Sequence, residues 1–133
     1  KGHAPPSLIA EISDISNTLV DTNSQTTFCA AIEKHEEIIS TYLGIEKVKS
    51  LYFSDFFGSI KSLGAWGGDF IMAVSEMNAT ETKAYFNKKG YSTILSWNEM
   101  VLYIYINEKN YLEKSFEYCA YQILGQAWQS ITK

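Results

Sequence analysis

Lys61-Ser62-Leu63-Gly64-Ala65-Trp66-Gly67-Gly68-Asp69-Phe70-Ile71-Met72 packs three of the chain's eight glycines into five residues directly before an apolar run. Glycine accepts positive φ and carries no Cβ, so a loop built from it turns sharply and lets backbone N–H groups approach a ligand closely, an arrangement that favours anions. On glycine count alone the segment reads equally well as a tight, bulged turn between two strands. In both readings Gly58 to Leu63 is expected to run as a strand into the loop, and Asp69 to Ser75 as the strand leaving it.

Upstream, the apolar spacing is helical. Leu8, Ile12, Ile15 and Leu19 recur on one face after Pro5 and Pro6, with Ser7 as the expected N-cap, which predicts a helix from Ser7 to about Val20. The polar segment Asp21 to Gln25 separates it from a second helix. There Phe28, Ile32, His35, Ile39 and Tyr42 share a face and Gly44 supplies the stop. The aromatic stretch Leu51 to Phe57 is ambiguous between a short helix and a loop.

Downstream, Asn78-Ala79-Thr80-Glu81 has the spacing of a capping box, and Lys88-Lys89-Gly90 ends the helix it opens. Tyr91 to Leu95 and Met100 to Ile106 are β-branched or aromatic runs separated by Ser96 to Glu99, which suits two strands and a turn. A last helix is expected over about Asn110 to Ile131. The order ααββαββα argues a single α+β domain over residues 1–133, with an antiparallel sheet and helices packed on one face.

Composition narrows the function classes. The chain is 46% hydrophobic and 20% charged, ordinary for a folded domain, with a net charge of −4 and no arginine. With no basic stripe and no bidentate guanidinium, nucleic acid is not an expected partner. Cys29 and Cys119, each within an apolar helical pattern, read as buried free thiols. There is no apolar run of membrane-spanning length and no basic segment ahead of an apolar one, and a reducing cytoplasm fits. Asn78 lies in an Asn-Ala-Thr sequon that a helix cap explains better. The sequence opens on Lys1, which leaves a fragment and a stand-alone protein both open.

The pattern Lys61, Gly64, Ala65, Gly67, Gly68 before the apolar run Phe70 to Val74 resembles the third motif of the GHMP kinases. Among them, the bacterial GYDIA-type members are the most similar, through Ser-Leu-Gly-Ala-Trp-Gly-Gly-Asp-Phe, Lys89-Gly90-Tyr91 and Asn98-Glu99-Met100. The resemblance spans roughly residues 8–102, is specific in the loop and loose elsewhere, and leaves 103–133 unmatched. It implies the C-terminal domain of an ATP- and Mg²⁺-dependent kinase acting on a mevalonate-like or related small alcohol, with a ferredoxin-like α+β sandwich fold. The family's serine-rich phosphate loop and acidic base belong to an N-terminal domain, and neither motif occurs here. This chain alone is therefore expected to transfer no phosphate, and no catalytic residue is assigned within it.

Phosphoryl transfer is catalysed mainly by positioning and charge neutralisation. The resemblance implies that Gly64, Ala65, Trp66, Gly67 and Gly68 shape the substrate and phosphate cleft. Trp66 either walls the acceptor pocket or covers the domain's own core. Asp69 either contacts Mg²⁺ through water or a substrate hydroxyl, or bonds to loop amides. Lys61 either lends positive charge near the loop or is a solvated strand lysine. His35, on the second helix's apolar stripe, is a core or boundary residue or a substrate-side contact. Glu36 and Glu37 read as a solvated face, and Asp55 as a turn or cap residue. The alternative function is a noncatalytic ferredoxin-like regulatory or oligomerising module that keeps the loop for structural reasons; a homo-oligomer suits either.

Overall fold

Two antiparallel helices lead into the hairpin. The structure, a computed structural model, describes residues 3–64 and 70–96. Helix α1 (Pro6–Asp21) starts on Pro6, whose missing N–H falls where a helix has no acceptor for it. Ser7 is therefore not the N-cap expected from the sequence: Pro5 holds that position, without a side-chain cap, and Ser7 sits in the first turn. Ile15 is the buried anchor of α1, while Ile9 and Val20 stay exposed.

Helix α2 (Gln25–Leu43) is capped by Ser24, whose hydroxyl accepts the Thr27 N–H at 3.2 Å, and ends on left-handed Gly44. Phe28 and Ile32 are buried, but Tyr42, expected on the same face, is exposed. The ambiguous aromatic stretch resolves into both alternatives. Leu51 and Tyr52 close a short helix α3 (Val48–Tyr52), and Phe53 to Gly58 turn irregularly into the sheet.

Strands β1 (Ser59–Leu63) and β2 (Phe70–Val74) pair antiparallel, with Ser59 opposite Val74 and Leu63 opposite Phe70. Because side chains alternate across a strand, this register sorts the residues into two faces. Ile60, Ile71 and Ala73 join Val48, Phe53, Phe56 and Phe86 in one apolar cluster. Met72 and Val74 join Phe28 and Ile32 in another. Both faces of the hairpin are thus covered, rather than the single face expected, because β2 is apolar at five successive positions and has no side to give to water.

Helix α4 (Ala79–Lys88) opens with the expected capping box: the Glu81 N–H donates to Asn78 Oδ1 at 2.9 Å and the Asn78 N–H to Glu81 Oε2 at 3.1 Å. At its other end Gly90 is left-handed, its N–H donating to the Asn87 carbonyl and the Tyr91 N–H to that of Phe86. This Schellman closure corrects the strand expected over Tyr91 to Leu95. Tyr91 folds back onto Phe53 with ring centroids 5.4 Å apart, and residues 91–96 join no ladder with β1 or β2. The strand expected over Met100 to Ile106, the last helix and Cys119 lie outside the described residues. The described chain is therefore a mixed arrangement of helices around a two-stranded antiparallel sheet.

Candidate functional site

Helix α2 runs alongside β1, and three side-chain contacts of equal sequence separation stitch the two together. Ser59 Oγ donates to Glu33 Oε1 at 2.8 Å, Lys61 Nζ lies 3.1 Å from His35 Nδ1, and Ser62 Oγ donates to Glu36 Oε2 at 3.1 Å. Lys61 Nζ also donates to the Ser62 carbonyl at 3.3 Å and sits 3.7 Å from Glu36 Oε1.

This seam corrects two expectations. Lys61 is not a solvated strand lysine: its side chain is only 16% exposed and its ammonium points into the seam. Nor is Glu36 on a solvated face, since it is 2% exposed. A signal for Glu36 was present in the sequence, because Phe28, Ile32 and Glu36 recur every four residues and must share one stripe of a helix. Its charge by itself favours solvent; a buried carboxylate is rare without a partner, and here Lys61 and Ser62 supply one. Glu37, by contrast, is exposed as expected and pairs with Lys47.

The electrostatics follow from burial. Desolvation pushes the Glu36 carboxyl up, against the pull of Ser62 and Lys61, and pushes the Lys61 ammonium down, against the pull of Glu36. His35 is lowered to about 4, first by burial and then by the adjacent Lys61 charge. Within the seam the Lys61 ammonium lies between His35 Nδ1 and Glu36 Oε1. Among the described residues Glu36 Oε1 accepts no hydrogen bond, and Lys61 Nζ lies 3.7 Å from it.

Three residues beyond Lys61, Gly64 takes φ +76°, a left-handed conformation that L side chains seldom adopt, and starts the glycine loop. Leu63 and Phe70 close the hairpin on either side of it. Ala65, Trp66, Gly67, Gly68 and Asp69 lie outside the described residues. Among the described residues no group of three or more His, Cys, Asp or Glu side chains could hold a metal ion.

A cavity of about 200 Å³ opens between α2, α3 and β1, lined by Glu33, Glu36, Lys47, Lys49, Ser50 and Ile60. Its rim charges answer one another, Lys49 with Glu33 and Lys47 with Glu37. Cys29 is a free thiol, as expected, but half-buried rather than buried, and that burial raises its pKa. Asp55 is not merely a turn residue: it accepts from the Tyr85 hydroxyl at 2.7 Å and pairs with Lys89 at 2.8 Å, tying the aromatic turn to the end of α4. Among the described residues no helix is long and apolar enough to cross a membrane. No known protein family, curated protein or solved structure matches this chain.

Proposed function

We propose that this chain is the C-terminal domain of a GHMP-type kinase, ferredoxin-like in its complete sheet and cytoplasmic, in which the loop from Gly64 to Gly68 forms one wall of the phosphate and acceptor cleft. The observation that supports this is the fixed geometry of the loop's ends: Leu63 paired with Phe70, and a left-handed Gly64 immediately after. Backbone amides of a glycine-rich connection between the paired Leu63 and Phe70 would supply the preorganised dipoles that phosphoryl transfer requires. Because Lys61 is neutralised by Glu36, the loop contributes shape and amide dipoles and not a lysine charge. ATP and Mg²⁺ are then held mainly by an N-terminal partner domain, and the acceptor is a small alcohol.

The test is made on the longer polypeptide that this reading requires. ATP-dependent ADP release with a panel of small alcohols should be abolished by Gly68→Val while circular dichroism stays unchanged; undiminished turnover in that variant overturns the reading. The 133-residue chain by itself should show negligible ATP binding by calorimetry. Sub-millimolar affinity would put the phosphate site in the wrong half.

The inward-turned charge of Lys61 also suits a second reading, a noncatalytic regulatory or oligomerising module. That reading requires no serine-rich phosphate loop in frame ahead of the chain and no ATP-dependent activity in any longer product.

A further inference from the structure

Lys61 Nζ lies 3.1 Å from His35 Nδ1, 3.3 Å from the Ser62 carbonyl oxygen and 3.7 Å from Glu36 Oε1. Among the described residues Glu36 is the one anion that acts on this ammonium, whose side chain is only 16% exposed. The two carboxylate oxygens are used differently. Oε2 accepts the Ser62 hydroxyl at 3.1 Å, whereas Oε1 is buried and accepts no hydrogen bond. The oxygen with lone pairs to spare is therefore the one beside Lys61. A proton placed there turns an acceptor into a donor, and an ammonium has donors alone. It also removes the counter-charge of a largely buried cation, leaving two neutral acceptors to hold it.

We infer that Glu36 and Lys61 form a proton-operated latch between α2 and β1: a proton taken from solvent onto Glu36 Oε1 releases the Lys61 ammonium to water, while Ser59–Glu33 and Ser62–Glu36 keep the two elements together. The order of titration suits this. Burial raises the Glu36 carboxyl above its ordinary range and His35 takes a proton only at about 4, so Glu36 titrates first as pH falls. Protonation of His35 then adds a second cation beside Lys61 and completes the release. The other charges around α2 are already engaged among the described residues. Lys47 and Lys49, at α3, pair with Glu37 and Glu33, and Glu11, on α1, pairs with Lys34. Strand β2 brings only apolar side chains.

The experiment is an acid titration of the ¹³C,¹⁵N-labelled 133-residue chain by nuclear magnetic resonance, following the Glu36 carboxyl carbon and the Lys61 Cε and Nζ shifts together. The expected result is one shared midpoint, with the Lys61 shifts moving to those of exposed lysines while the Phe86 ring signals stay in place. In Glu36→Gln, which keeps an acceptor for Ser62 but carries no charge, Lys61 should show the exposed shifts already at neutral pH. Lys61 shifts that stay fixed while the Glu36 carboxyl titrates, or that move at a separate midpoint, overturn the latch. Loss of the Phe86 signals at the same midpoint also overturns it, because the release would then be global unfolding. The wild-type titration decides the matter without the variant.

Discussion

The ammonium of Lys61 is held 3.1 Å from Nδ1 of His35, so the strand that enters the glycine loop is fastened to α2 by a cation turned inward. Glu36 Oε1 lies on its other side at 3.7 Å, so Lys61 bridges two residues of the same helix. The seam ties α2 to β1, and the glycine loop follows the end of that strand.

Breaking this pair from one side should be worse than removing it. Lys61→Met leaves the Glu36 carboxylate buried without a counter-charge and is expected to reduce stability by about 2–4 kcal/mol in urea denaturation. Adding Glu36→Leu, which extends the apolar stripe of Phe28 and Ile32, should restore at least half of that loss. Equal losses in the single and double variants would show that the two residues are not coupled.

The pH dependence of stability should carry the signature of His35. The unfolded chain takes up this proton below about 6.5 and the folded chain only below about 4, so the contribution of a neutral His35 is present above this window and is lost as pH falls through it. Glu36, raised by burial, acts in the opposite sense, because the folded state holds its proton at a higher pH than the unfolded state does. The comparison to make is therefore between wild type and His35→Gln. The decline in melting temperature on acidification should be shallower in the variant; parallel curves would exclude His35 as its source.

Two glycines should respond differently to alanine. At Gly58 an added Cβ would meet the Val74 carbonyl oxygen at 2.3 Å and Phe56 Cε1 at 2.8 Å, and a main-chain oxygen of β2 cannot retreat without disturbing the hairpin. At Gly64 the same Cβ meets open space, and only the left-handed φ is unfavourable. Gly64→Ala should therefore lower stability by about 1 kcal/mol and Gly58→Ala by at least about 2 kcal/mol more. The reverse order by thermal unfolding would mean that the described path into β1 is wrong.

Phe86 is the residue on which the aromatic cluster converges. It is fully buried, with ring centroids 5.4 Å from Phe53, 5.3 Å from Phe56 and 5.0 Å from Tyr85. Phe86→Ala should cost about 3–5 kcal/mol in equilibrium denaturation. A loss below about 1 kcal/mol would show that Phe86 is not packed into the cluster as described.

Local signals in the amino-acid sequence determined where the elements begin and end. The 3.6-residue spacing of α1 and α2, the Asn78–Glu81 capping box, the Gly44 and Gly90 stops and the strands flanking the glycine loop are all written in short stretches, because each depends on hydrogen bonds or rotamers within a few residues. Which side of an element faces what was decided only by tertiary structure. Tyr91 has the composition of a strand residue, yet the Schellman closure at Gly90 turns it onto Phe53. Glu36 and Lys61 have the composition of surface residues, yet contacts across twenty-five positions bury them against each other. Charge by itself predicts exposure; only a partner brought close by the fold makes burial affordable, and the sequence does not announce that partner.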